Sequence, residues 1–464
     1  MKWMTRLHGT PGAIALALAS LNVCAAAPDA ANADLIQRGR YLASAGDCIA
    51  CHTAPGGRAM AGGLALPTPL GTIVSSNITP SKTYGIGNYT QAQFSAALRA
   101  GIRADGRHLY PAMPYTSYAL VSDDDASALY AYFMQGVAAV EAAPPQQTRL
   151  PFPFNIRRSM ALWNLLFLDS KPFVPDPGKS PEWNRGAYLA RGLAHCSACH
   201  TPRNMLMAEK KSLELAGGEV GSWYAPNITS DPNSGVGGWS EQELIDYLRL
   251  GHVAGKAQTA GPMAEAVDHS LRHLSEDDLR AMAGYLKTVP ALREAADTRP
   301  VYAWGAAADE LHSIRGVALP NDPSRMTGPQ LYDAHCATCH QARGQGSFDG
   351  GLPPLFHNTA LGRSNTNNLV MVLLEGIQRQ GDTLEVLMPG FKRELSDQQI
   401  ATLGAYLAQH YGNPKAQISA AQVKTLRAGG ARSNLVLAAR LGLAALVLAI
   451  IAALFALTRR KRRR

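Results

Sequence analysis

Apolar residues recur at helical spacing in three separate stretches of this chain, and the same order of helices returns in each. A first helix runs into a Cys-x-x-Cys-His motif: RGRYLASAGDCIACH at 38–52, RGAYLARGLAHCSACH at 185–200 and LYDAHCATCH at 331–340. Tyr41, Tyr188 and Tyr332 fall on the apolar side of that pattern. A second helix follows a Thr or Ser cap in GNYTQAQFSAALRAGI (87–102) and GGWSEQELIDYLRLGH (237–252). NTNNLVMVLLEGI (365–377) takes the matching place in the third unit. Each unit closes with a Ser-capped helix: SDDDASALYAYFM (122–134), SEDDLRAMAGYLKTV (275–289) and SDQQIATLGAYLAQHY (396–411). Acids in the first turn favour each start, with Asp397 alone in the third. SNITP (76–80) and PNITS (226–230) mark a further repeat within units one and two. The pattern predicts an all-α protein of three tandem domains, at 34–143, 182–290 and 326–412.

The segments between and around these units carry their own patterns. Residues 144–181 form a Pro-rich linker holding RRSMALWNLLFL (157–168), which is too apolar for an idle connection. It either packs on a neighbouring domain or docks another subunit. Residues 291–325 are a second linker, and 413–433 connect the last unit to an apolar run at 434–457. From Leu435 to Leu457 only Arg440 interrupts it, and its unbroken part, 441–457, spans about 25 Å as a helix, near the ~30 Å of a hydrocarbon core. Arg440 can snorkel to the interface, and the basic tail 458–464 resists export and stays cytoplasmic. The alternative is an amphipathic helix lying on the membrane surface. Residues 1–27 read as a secretory signal, with Lys2 and Arg6, an apolar stretch at 13–23 and small residues at 25–27. A retained N-terminal anchor is the alternative, set against the shortness of that stretch. Leu21 to Cys24 faintly resembles a lipoprotein box, but Val23 is too large for one. These ends place the protein at the inner membrane with its body in the periplasm.

Composition narrows the classes. With 46% hydrophobic and 17% charged residues the chain is globular rather than disordered, and 43 Gly and 29 Pro imply much loop. The net charge is +9, of which the last six residues carry six and the first 27 carry two, so the body is near neutral. The basic balance gives no case for nucleic-acid binding.

Six of the seven cysteines form the three Cys-x-x-Cys-His motifs, the attachment signature of c-type haem. Two thiols add across the two vinyl groups of one haem, and the adjacent imidazole reaches the iron. The sets are Cys48, Cys51 and His52; Cys196, Cys199 and His200; Cys336, Cys339 and His340. Structural zinc competes for Cys-x-x-Cys pairs but usually joins two of them about 15–20 residues apart. Here Cys48, Cys196 and Cys336 are 148 and 140 residues apart. A thioredoxin-like pair needs a βαβ context that is missing from the pattern.

For the sixth iron position, a methionine lies between the two downstream helices of each unit: Met113 in YPAMPY, Met263 in AGPMAEAV and Met388 in VLMPGF. Flanking prolines suggest a loop laid across a haem face, and His/Met ligation suits electron transfer. The alternative for each is core packing, most open at Met263, where Met-Pro has become Met-Ala. Met60, Met134, Met205, Met207, Met282 and Met371 read as core or haem-edge residues. A backbone carbonyl should accept the Nδ1 proton of each histidine, with Pro55, Pro202 and Pro353 or Pro354 as candidates. No nucleotide-binding glycine motif, nucleophile elbow or metalloprotease motif is found, so no catalytic residue is assigned.

Taken with the leader and the C-terminal run, these motifs resemble the triple-haem cytochrome c subunits of membrane-bound periplasmic dehydrogenases, over residues 34–411. The resemblance implies three cytochrome c domains plus a C-terminal transmembrane helix. It also implies a catalytic partner of flavin (gluconate, sorbitol, fructose, glucose), quinoprotein alcohol or molybdenum type, with room for a small third subunit. Electrons from that partner would leave through three haem c groups to ubiquinone, with no substrate-oxidising site in this chain. Its terminal helix fits the flavin gluconate type slightly better. Two other readings compete: a multihaem enzyme with an open iron, and a haem-carrying subunit of a terminal oxidase branch.

Overall fold

A glycine in the first helix of each unit lets that helix cross the last one almost backbone to backbone. In the computed structural model, which describes residues 30–348, 352–380, 385–431 and 433–462, a Cβ added to Gly39 would lie 2.0 Å from the Ala128 carbonyl oxygen. Gly186 repeats this at 1.9 Å from the Ala281 carbonyl, and Gly328 at 2.6 Å from Cβ of Tyr406. The secretory-signal reading and Cys24 lie outside the described residues.

Unit one runs α1 (Ala30–Ala45), α2 (Cys48–His52), hairpin β1 (Ala65–Thr68) and β2 (Gly71–Val74), α3 (Gln91–Ala100), α4 (Tyr115–Tyr118) and α5 (Asp123–Ala131). The linker carries α6 (Ser159–Phe167). Unit two runs α7 (Pro181–Tyr188), α8 (Cys196–His200), β3 (Gly218–Val220), β4 (Trp223–Ala225), α9 (Glu241–Leu250), β5 (His252–Val253), β6 (Ala257–Gln258), α10 (Gly261–His269) and α11 (Glu276–Leu286). Unit three has α12 (Gly328–His335), α13 (Ala337–His340), α14 (Thr359–Gly362), α15 (Asn367–Glu375), β7 (Ile377–Gln380), β8 (Glu385–Met388) and α16 (Asp397–Tyr411). Then follow α17 (Ala420–Arg427) and α18 (Leu435–Arg462).

The caps expected from the sequence form. Thr90 and Ser240 make capping boxes with Gln93 and Glu243, and Ser122, Ser275 and Ser396 accept from the backbone three residues on. The all-α expectation needs one correction, since antiparallel hairpins punctuate the helices. Strands of two to four residues are too short for a period-two pattern to register in the sequence.

The buried side chains of units one and two form one continuous apolar cluster, while unit three has its own, closed by Val423 and Leu426 of α17. Units one and two exchange contacts reciprocally. The Tyr41 hydroxyl donates to Asp278 at 2.6 Å, and the Tyr188 hydroxyl to Asp125 at 2.5 Å. Arg185 pairs with Asp278 and Arg38 with Asp125 within their own units. Tyr332 differs, donating to the Gln341 carbonyl of its own unit. Unit three joins unit two through the buried Arg379, which donates to Asp268 and to the Leu250 carbonyl, and through Arg363, which donates to the Ser234 carbonyl.

Two peripheral elements depart from expectation. Helix α6 packs on unit one through Asn164 and Trp163 and meets the loop after α8 through Trp163, yet Leu162, Leu165 and Leu166 face outward. The apolar run and the basic residues up to Arg462 form one helix, α18, because Lys and Arg are good helix formers. None of its residues is buried, and it is long and apolar enough to cross a membrane.

Candidate haem sites

The first two motifs are each a single helical turn that the chain enters abruptly, and in the third the turn begins just after Cys336. Asp47 (φ 50°) and His195 (φ 38°) take the left-handed conformation immediately before Cys48 and Cys196. The turn then sets both thiols and the imidazole close together.

The histidines are oriented by backbone carbonyls, though two of the three differ from expectation. His52 Nδ1 lies 2.7 Å from the Ser76 carbonyl, His200 Nδ1 2.5 Å from the Pro226 carbonyl, and His340 Nδ1 3.0 Å from the Pro353 carbonyl. Pro353 is as expected, but Pro55 and Pro202 are replaced by the residue preceding each Asn-Ile-Thr repeat. Those repeats are clamps. Asn77 Oδ1 accepts from the Thr79 amide and hydroxyl at 2.9 and 2.7 Å, and its Nδ2 donates to the Val140 carbonyl at 2.9 Å. Asn227 makes the same set with Thr229 and the Leu292 carbonyl. Each buried clamp fixes the carbonyl that faces the histidine. The repeated Asn-Ile-Thr was the visible signal; its link to the imidazole lay in three dimensions.

With Nδ1 engaged, Nε2 is left as the coordinating nitrogen. Desolvation lowers the pKa of all three imidazoles, that of His200 to about 4, with the nearby Arg363 guanidinium adding to the effect. The neutral form, which a metal requires, is therefore favoured. Burial pushes the Cys48, Cys196 and Cys336 thiols up to about 12 and Cys51 to about 11. That is opposite to the low thiol pKa of a redox pair. The Cys48, Cys51, Cys196, Cys199, Cys336 and Cys339 sulfurs are free of disulfides. Among the described residues no group of three or more His, Cys, Asp or Glu gathers to hold a metal ion. Paired protonated thiols beside an oriented neutral imidazole are the donor set that fits covalent haem.

The methionines occupy three different settings. Met113 lies in the turn before α4, Met263 is the third residue of helix α10 rather than in a loop, and Met388 ends strand β8. Pro262 near the start of α10 allows a helix where a loop was expected, because proline is tolerated in a first turn. All three are partly buried against the apolar clusters. Met60, Met282 and Met371 are core residues, whereas Met205 is exposed. Sequence reasoning missed the buried Arg363 and Arg379, for which a lone arginine in the sequence offers no signal.

The cytochrome c family matches residues 326–410, the third unit. Along nearly the whole length, the chain is 47% identical over 445 residues to a fructose dehydrogenase cytochrome subunit of Gluconobacter japonicus, covering 93% of this chain and 91% of the relative. It is 41% identical over 429 residues to a gluconate 2-dehydrogenase cytochrome c subunit of Pantoea cypripedii (89% and 94%). It is 38% identical over 431 residues to the cytochrome c subunit of a quinone alcohol dehydrogenase of Gluconobacter oxydans (90% and 87%). Oriented histidines beside paired thiols, and identity along the full body of these relatives, lead to one conclusion: the chain belongs to the family of dehydrogenase cytochrome c subunits.

Proposed function

We propose that this chain is the electron-transfer subunit of a membrane-bound dehydrogenase, with three cytochrome c domains at 34–143, 182–290 and 326–412 that each hold one haem c. The observation that carries this reading is the recurrence of one arrangement, a motif histidine with Nδ1 against a backbone carbonyl, in all three units. Haem c supplies a one-electron carrier at each site. The paired cysteines would anchor it, and His52, His200 and His340 together with Met113, Met263 and Met388 would supply the iron's protein ligands. The apolar clusters exclude water around them. Unit two contacts both neighbours, which supports a connected route through the body. The chain accepts electrons from a catalytic subunit of flavin, quinoprotein or molybdenum type and passes them to ubiquinone. Its body lies on the periplasmic side, with α18 across the inner membrane and its basic end in the cytoplasm.

The test counts haem. After acid–acetone extraction, a pyridine haemochrome assay should leave three covalent haems per chain; two, or extractable haem, would remove the premise. Met263→Ala should lower the potential of one haem and open its iron to carbon monoxide. Unchanged spectra and an unchanged redox titration would show that Met263 is not a ligand.

A further inference from the structure

Helix α6 is amphipathic the wrong way round for a water-facing helix. Its polar Asn164 points into the protein, accepting from the Tyr115 hydroxyl at 2.8 Å and donating to the Ala100 carbonyl at 3.0 Å. Its leucines point out: Leu162, Leu165 and Leu166 are 61%, 80% and 59% exposed. The nine residues of α6 carry no charge. Trp163 ties this helix to a second apolar projection, its Nε1 donating to the Leu206 carbonyl at 2.9 Å, and Met205 and Leu206 are exposed too. Phe152 and Ile156, just before the helix, extend the same exposed group.

The position of this face relative to α18 identifies what covers it. Arg440 Nε donates to the Phe152 carbonyl at 3.1 Å. Arg440 is the last charge before the unbroken apolar run at 441–457, so its level on the helix is where hydrocarbon begins. Phe152 is therefore clamped at the lipid boundary, and α6 follows seven residues later with its leucines unpartnered. Arg157 and Arg158 precede the helix, and Trp163 is of the type enriched at such boundaries. A short uncharged helix with an outward apolar face beside basic residues is built to lie in an interface plane.

We infer that α6, together with Met205 and Leu206, rests in the outer leaflet of the bilayer as a second lipid contact beside the anchoring helix. This rests on the reading of α18 as a membrane span. The contact orients the body as well as tethering it. Tyr115, which holds Asn164, follows Met113 by two residues, and Leu206 follows His200 by six, so the loops of sites one and two are turned toward the lipid.

The experiment uses the full haem-loaded chain in nanodiscs, one copy per disc, without the catalytic subunit. In a Cys24→Ser background the motif sulfurs are thioethers, so Leu165→Cys, Val317→Cys and Leu448→Cys each present one thiol. Val317 is an exposed linker position and Leu448 lies midway along α18. Each is treated with a water-soluble and a lipid-partitioning maleimide. The water-soluble reagent should react at 165 about tenfold slower than at 317, because an apolar medium disfavours the thiolate, while the lipid-partitioning reagent still reaches it. Equal water-soluble rates at 165 and 317, with 448 protected, would overturn this inference alone. Unprotected 448 would overturn the membrane span and this inference with it. Free reaction at 165 that is suppressed on adding the catalytic subunit would assign the face to that partner and overturn the lipid contact.

Discussion

Asp278 shows how one side chain serves two units. It lies in the first turn of α11, capped by Ser275, and its carboxylate takes both Arg185 of its own unit and the Tyr41 hydroxyl of unit one. Burial pulls its pKa upward, but the Arg185 and Tyr41 hydrogen bonds outweigh that and hold it below the ordinary carboxylate value. A carboxyl with a lowered folded pKa stabilises the fold fully above its unfolded pKa, and loses that contribution as pH falls through the lower folded value. Asp278→Asn should therefore cost about 1.5–3 kcal/mol at pH 7, the worth of a charge-assisted bond. In urea unfolding followed by circular dichroism, the gap between wild type and variant should shrink below about pH 4, as the native carboxyl also protonates. A gap independent of pH would show that the carboxylate charge plays no part.

At the scale of elements, the glycines of crossing helices separate packing from propensity. Gly186 in α7 faces the Ala281 carbonyl at a distance no Cβ tolerates, whereas Gly284 in α11 has nothing within 4 Å of an added Cβ. Gly186→Ala should push α7 off α11 and destabilise by about 1–3 kcal/mol, as overpacking does. Gly284→Ala should stabilise by about 0.5–1 kcal/mol, since a mid-helix glycine gives up that much to alanine. Thermal unfolding of the two haem-loaded variants checks both signs; a fall in both would mean that Gly284 also faces a neighbour. Both glycines look alike in the sequence, each one residue or two from an alanine and a tyrosine in a helical pattern. Only which face of each helix meets its neighbour tells them apart.

On the scale of the whole molecule, the core of unit three is complete before the terminal helix begins, because α17 ends at Arg427 and supplies Val423 and Leu426. Stopping the chain after Ser433 should leave a haem-loaded body that washes off the membrane, since one short interfacial helix gives only reversible binding. Reduction of a soluble dye by the partner's substrate should persist, while electron delivery to membrane ubiquinone should fall sharply through loss of orientation. Comparing substrate-driven respiration with dye reduction for full-length and shortened complexes measures this. Normal respiration by the soluble form would mean that a separate carrier delivers the electrons.

The sequence by itself determined the local chemistry: three Cys-x-x-Cys-His turns, the capped helices on either side, and an apolar run long enough to cross a bilayer. These depend on neighbours one helical turn apart, where spacing along the chain is spacing in the structure. The carbonyls facing His52 and His200 come from 24 and 26 residues away, and the acids facing Tyr41 and Tyr188 from another unit. Met263 entered a helix where proline suggested a loop, and the leucines of α6 stayed in the open. Such outcomes follow from how preformed helices cross and which faces they bury. That free energy belongs to pairs of surfaces far apart in the chain, so the tertiary structure alone decided it.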